Sequence, residues 1–131
     1  MEIMVVKEFT FDAAHYLPNH PGKCKNTHGH TYRLQVGFKG PIDLRTGVVI
    51  DFGEIKEIIK SGIIDLLDHC YLNLINDDYE LIPDFPCNLP TAENMVVWIV
   101  KKIQTIYWDD LTRLVLVRLY ETPTSYAEWR A

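Results

Sequence analysis

Cys24-Lys25-Asn26-Thr27-His28-Gly29-His30 places a thiol ahead of a His-x-His pair. Side chains alternate along an extended strand, so a strand over residues 28–38 would point His28 and His30 to one face, where two imidazoles can share a metal ion. Gly29 between them carries no side chain and allows close backbone approach. The residues that follow continue the alternation. Tyr32, Leu34, Val36 and Phe38 share one face, and Thr31, Arg33, Gln35 and Lys39 the other. That is the pattern of a half-buried antiparallel strand, and Gly40-Pro41 ends it.

Upstream, residues 2–16 read as a long strand rich in β-formers. Phe9, Phe11, Ala13 and His15 share one face, and Thr10, Asp12 and Ala14 the other. His15 thus ends a mainly apolar stripe, and by itself it reads as a half-buried packing histidine. Pro18, Asn19, Pro21, Gly22 and Asn26 mark residues 17–27 as a loop. Strand, loop and returning strand make a wide hairpin that would bring His15 beside His28 and His30.

Downstream, Gly47–Ile50 reads as a short extended piece after a turn. Asp51 is a candidate N-cap with Glu54 three residues on. A helix is predicted from there to about Leu67, carried by Ile55, Ile58, Ile59, Ile63, Leu66 and Leu67 and weakened by Gly62. Residues 70–90 form a long connection containing three prolines. Thr91 is the expected N-cap of a second apolar helix running to about Tyr107. Thr112–Glu121 and Ser125–Arg130 read as closing strands. The order is ββααββ, an α+β chain read as a single domain over residues 1–131.

The chain has 131 residues, 47% hydrophobic and 24% charged, with a formal net charge of -5. That is ordinary globular composition, and the acidic balance disfavours a nucleic-acid partner. No apolar run reaches membrane-spanning length. Met1–Lys7 lacks the pattern of a signal peptide, and three cysteines at irregular spacing argue for reduced thiols. A cytoplasmic setting is expected.

Three imidazoles with a fourth position open form a catalytic zinc arrangement rather than a structural one. His15, His28 and His30 are therefore the candidate ligands of Zn2+, with Lewis-acid polarisation of a bound oxygen as the chemistry. Cys24 lies in a polar loop between Lys23 and Lys25, a setting that favours thiolate. It could close the zinc site as a fourth ligand, or act beside the metal as base or nucleophile. Cys70 and Cys87 read as packing residues. Asp68-His69 could be an acid/base pair, or His69 could simply complement a helix C-terminus. Glu121 at a strand end could be merely exposed, or could accept paired hydrogen bonds from an amidine-like ring edge. Glu93 suits a helix N-terminus without further function.

Phe11-Asp12-Ala13-Ala14-His15, Cys24-x3-His28-Gly29-His30, Val49-Ile50-Asp51-Phe52, Leu67-Asp68-His69, Pro90-Thr91-Ala92-Glu93-Asn94 and Glu121-Thr122 span nearly the whole chain. In this order they resemble the 6-pyruvoyl-tetrahydropterin synthase / 6-carboxytetrahydropterin synthase family. The resemblance implies the tunnelling fold, a four-stranded antiparallel sheet with two helices on one face. It further implies a homo-oligomer, commonly a hexamer, with active sites between subunits. Carried over by position, His15, His28 and His30 would bind zinc, and Cys24 would be the proton-transferring thiol. Asp68 and His69 would form an acid/base relay reaching the site from a neighbouring subunit. Glu121 would anchor the pterin ring and take part in catalysis, with Thr91 and Glu93 lining the same pocket.

The implied substrate is 7,8-dihydroneopterin triphosphate, and the implied enzyme a zinc-dependent carbon–oxygen lyase. One branch of the family makes 6-pyruvoyl-tetrahydropterin. Another cleaves the side chain, releasing acetaldehyde and triphosphate and giving 6-carboxy-5,6,7,8-tetrahydropterin for 7-deazapurine (queuosine-type) biosynthesis. The gap of three residues between Cys24 and His28 resembles the carboxy-forming branch. A folate-precursor branch carries Glu where this chain has Cys24. A non-catalytic zinc- or pterin-binding member of the fold is the alternative from a different class. Lys23 and Lys25 are the candidates to receive the triphosphate.

Overall fold

The computed structural model describes residues 1–78 and 82–131. Its strands, numbered in chain order, are β1 (Glu2–His15), β2 (His28–Pro41), β3 (Cys70–Tyr71), β4 (Arg113–Thr122) and β5 (Ser125–Arg130). β1 and β2 pair antiparallel along their whole length, from Glu2 opposite Pro41 to His15 opposite His28. β4 pairs antiparallel with β2, and β5 with β4.

The expected four-stranded antiparallel sheet is corrected by β3. The sheet has five strands in the order β3-β1-β2-β4-β5, and it is mixed because Cys70–Tyr71 runs parallel to Ala13–Ala14. A strand of two residues has no alternation to read in a sequence. What places it is tertiary: His69 adopts φ 62°, in the left-handed region, and its N–H donates to the Asp12 carbonyl at 2.6 Å. Gly47–Ile50 joins no strand; there, Thr112 Oγ1 donates to the Val49 carbonyl at 3.4 Å.

The helices are α1 (Phe52–Ile59), α2 (Asp65–Leu67), α3 (Ile75–Asp78) and α4 (Ala92–Ile106). A π-helical turn over Lys60–Ile64 joins α1 to α2, so the first predicted helix runs unbroken to Leu67. Gly62 sits in this turn against Ile106; a Cβ there would lie 2.5 Å from Ile106 Cδ1. The caps form as the side-chain chemistry requires. Asp51 accepts from Gly53 N–H at 2.7 Å, and Thr91 Oγ1 accepts from Asn94 N–H at 3.1 Å. Of the 70–90 connection, residues 79–81 lie outside the described part.

Ile55, Ile59, Ile63 and Leu67 recur at helical spacing and pack with Met95, Ile99 and Ile103 of α4. Together they cover the sheet face bearing Phe11, Tyr32, Leu34, Val36, Phe38, Val117 and Leu119. The opposite face is mixed, with exposed Met4 and Val6 beside charged residues. Arg33 pairs with Glu8 and lies 3.8 Å over the Tyr120 ring; Arg118 pairs with Glu128 and lies 4.6 Å over that of Tyr126. Among the described residues no helix is long and apolar enough to cross a membrane.

Candidate metal centre

Residues directly opposite in an antiparallel pair point to the same side of the sheet. The β1–β2 register sets His15 against His28 and Ala13 against His30, so all three histidines emerge on the core face at one end of the sheet. Their ring centroids are 4.6, 4.8 and 5.1 Å apart, each pair edge-on, and their potential ligand atoms lie within 4.8 Å of one another.

The hydrogen-bond partners decide which nitrogens are bare. His15 Nδ1 donates to the Pro90 carbonyl at 2.9 Å, and His28 Nδ1 donates to the Asn26 carbonyl at 2.7 Å. A carbonyl can only accept, so in the neutral rings both Nε2 atoms are unprotonated. These two nitrogens stand 3.0 Å apart, lone pair toward lone pair. His30 Nε2 is buried and has no hydrogen-bond partner. Burial is the leading reason that His15 and His30 are held below the usual histidine range, against the pull of Glu121. Three converging imidazoles, two of them with the second nitrogen tied to a carbonyl, are the donor set of a metal ion. The residues present fit a bound cation, and these three histidines could hold one.

Glu121 adds a carboxylate. It lies on the core-facing side of β4, 29% exposed, with Oε1 3.4 Å from His15 Nε2 and 3.6 Å from His30 Nε2. Tyr32 lies beneath, fully buried, its hydroxyl 3.4 Å from His15 Nδ1. Burial, and after it the Glu121 charge, pushes this phenol above its ordinary range. The Pro90 bond brings the start of α4 to the centre, and with it Thr91. Thr91 is half-buried and its hydroxyl caps the helix, whereas Glu93 is exposed in the first turn.

Cys24 sits in a 3-10 turn, Lys23–Lys25, inside the loop between β1 and β2; its carbonyl accepts from Leu17 N–H at 2.8 Å. The thiol is half-buried, and Lys23 and Lys25 are exposed. Among the described residues Cys24 does not join the three histidines as a ligand atom. Cys70 is buried and its Sγ lies 3.4 Å from the Leu66 carbonyl, while Cys87 packs half-buried against the core.

Asp68 and His69 do form a pair, Oδ1 to Nδ1 at 3.0 Å. They are mounted on Asp12, whose N–H donates to Asp68 Oδ1 at 2.9 Å and whose carbonyl receives His69 N–H. The Asp12 N–H is the main reason the Asp68 carboxyl is held below its ordinary range, with His69 contributing. Asp12 points to the face opposite the histidines, where Thr31 Oγ1 donates to its Oδ1 at 2.5 Å. The dyad therefore occupies the outer edge of β1, with the His69 side chain 78% exposed, while the three histidines face inward.

Sequence reasoning had no means to find the Pro90 and Asn26 carbonyls, since a backbone acceptor leaves no mark on residue type. The alternation of β2 makes Tyr32 a core residue, and its place two residues after His30 on the same face is the signal that it also meets the centre.

A profile for 6-pyruvoyl tetrahydropterin synthase matches residues 4–131. This chain belongs to that family. It is 35% identical to a Haemophilus influenzae protein named 6-carboxy-5,6,7,8-tetrahydropterin synthase, over 96% of this chain and 97% of the relative. It is 36% identical to a Drosophila melanogaster 6-pyruvoyl tetrahydrobiopterin synthase, over 83% of this chain and 62% of the relative. The structure superimposes on Caenorhabditis elegans 6-pyruvoyl tetrahydropterin synthase with a TM-score of 0.82 and 26% identity, covering 100% of this chain and 96% of that one.

Proposed function

We propose that this family member is a zinc-dependent 6-carboxy-5,6,7,8-tetrahydropterin synthase. It would convert 7,8-dihydroneopterin triphosphate to the 6-carboxy product with release of acetaldehyde and triphosphate, in 7-deazapurine (queuosine-type) biosynthesis. The observation that carries this reading is the convergence of the His15, His28 and His30 ring nitrogens, with His15 and His30 Nε2 buried, beside the Glu121 carboxylate. Relatives bearing the 6-carboxy name over nearly their whole length favour this product.

Zinc bound by the three histidines would supply Lewis-acid polarisation of the substrate side-chain oxygens. Glu121 would receive the N–H edge of the pterin ring, a bidentate acceptor at the rim of the centre. Thr91 and Glu93 would line the same pocket. Cys24 would move a proton along the substrate side chain, held beside the centre but outside its ligand set. Asp68 would keep the His69 imidazole oriented and stabilise its protonated form, making the pair an acid/base relay.

The placement of that relay supports a site shared between copies. Within one chain it lies on the outer edge of β1, away from the inward-facing histidines. We read the 131 residues as one cytoplasmic tunnelling-fold domain that assembles as a homo-oligomer, a hexamer by resemblance, with each dyad serving a neighbour's centre. Lys23 and Lys25, exposed on the Cys24 loop, are the proposed triphosphate contacts.

The pyruvoyl product is the second reading, favoured by the resemblance to the Drosophila protein. Product analysis by mass spectrometry after incubating zinc-loaded protein with 7,8-dihydroneopterin triphosphate separates the two. A 6-carboxy product with acetaldehyde is expected. A 6-pyruvoyl product would move the chain to the other branch. No product from an intact, zinc-loaded oligomer would favour a non-catalytic binding protein or a different substrate.

A further inference from the structure

We propose that Asn73, assisted by Tyr71, is a positioning residue that fixes the Cys24 loop against the three-histidine centre. The inference rests on Cys24 being the proton-transferring thiol. The loop leaves β1 directly after His15 and enters β2 directly before His28. Its first residue is gripped at both backbone polar atoms. Tyr16 N–H donates to Asn73 Oδ1 at 2.9 Å, and Asn73 Nδ2 donates to the Tyr16 carbonyl at 2.9 Å. Its last residue is held by Tyr71, whose hydroxyl lies 2.6 Å from Thr27 Oγ1. The next backbone step from Tyr16, Leu17 N–H, donates to the Cys24 carbonyl. Asn73 is thus linked to the thiol-bearing residue through one backbone step and one further hydrogen bond.

The loop's internal hydrogen bonds, among them His20 N–H to the Leu17 carbonyl, Gly22 N–H to His20 Nδ1 and Asn26 N–H to the Lys23 carbonyl, tie it to itself rather than to the sheet. Pro18 and Pro21 contribute no N–H, and Gly22 adds no side chain. Asn73, by contrast, rides on the turn Leu72–Leu74, anchored by fully buried Leu72 and by the pairing of β3 with β1. The planar Asn73 amide presents side by side the donor and the acceptor that the Tyr16 backbone needs; a carboxylate would face the Tyr16 carbonyl with a second acceptor. The histidines are placed by the β1–β2 register, and His15 further by the Pro90 carbonyl, which lies outside the loop. Loosening the clamp should therefore disturb the thiol and leave the metal centre intact.

The test compares zinc-loaded wild type with Asn73→Ala, Asn73→Asp and Tyr71→Phe. The readouts are zinc per chain, the rate of Cys24 alkylation by iodoacetamide mapped by peptide mass, and steady-state kinetics on 7,8-dihydroneopterin triphosphate. Asn73→Ala should keep its zinc, change the Cys24 alkylation rate markedly and lower kcat by about 100-fold with KM little changed, the cost of a misplaced catalytic group. Asn73→Asp, which sets an acceptor against the Tyr16 carbonyl, should also change the Cys24 alkylation rate and lower kcat with zinc retained. Unchanged alkylation and kcat in Asn73→Ala would overturn the proposal, as would a loss of activity accompanied by loss of zinc. If Asn73→Ala does not fold, Tyr71→Phe decides: a change in Cys24 alkylation of about threefold or more, the low end for one hydrogen bond, supports the clamp, and none overturns it. If wild type does not turn over the triphosphate, the assigned reaction fails while the alkylation rates still decide the clamp.

Discussion

Adding zinc to metal-free protein should raise its melting temperature, and His30→Leu should abolish the effect while costing the metal-free protein little. At free zinc one hundred times the dissociation constant, mass action contributes about 2.7 kcal/mol. Unfolding entropy of about 2.1 cal/mol/K per residue gives about 0.28 kcal/mol/K for this chain, so the shift is about 10 °C. In the metal-free state His30 Nε2 is buried without a partner, which costs the wild type about 1–3 kcal/mol. Leucine of similar volume removes that penalty together with one ligand. The metal-free variant should therefore melt within a few degrees of wild type or above it, and the order should reverse when zinc is added. Scanning calorimetry with and without zinc, after chelation, reads both effects. An equal zinc shift in wild type and His30→Leu, or no shift in wild type, would refute the assignment of these histidines as a metal centre.

Cys24→Ala should retain zinc and lose about 100- to 10,000-fold in kcat, the usual worth of a positioned proton-transfer group; metal analysis beside kinetics checks it, and zinc loss would make Cys24 a ligand instead. Gly37→Ala should destabilise by about 1–3 kcal/mol, because the new Cβ would meet Leu116 Cβ at 2.9 Å in a packed strand pair; urea midpoints decide. The pH dependence of Asp68 has a definite sign. Its carboxyl is held below its reference value of 3.8, so its contribution to stability is present above that pH and lost as pH falls through the lower folded value. Asp68→Asn should flatten that part of the acid limb, measured as urea midpoints from pH 5 downward, and an unchanged slope would show that the Asp12 N–H bond does not favour the charged form.

Local pattern by itself determined the two long strands, both main helices, their caps, and the shared face of His15, His28 and His30. Period-two alternation and helical spacing are properties of neighbouring residues, so these features are legible without knowing what they touch. The closing strand Ser125–Arg130 was legible too, bounded by the Thr122-Pro123-Thr124 turn. The tertiary structure alone decided β3, because a pairing of two residues becomes a strand only when β1 lies beside it. It alone decided that, among the described residues, Cys24 stands outside the three-histidine cluster and that Glu121 Oε1 stands beside it, since sequence separation does not constrain distance across a sheet. The tautomers of His15 and His28 also belong to the folded chain. They are set by carbonyl oxygens of Pro90 and Asn26, and every residue type but its position in space is silent about where such an oxygen points.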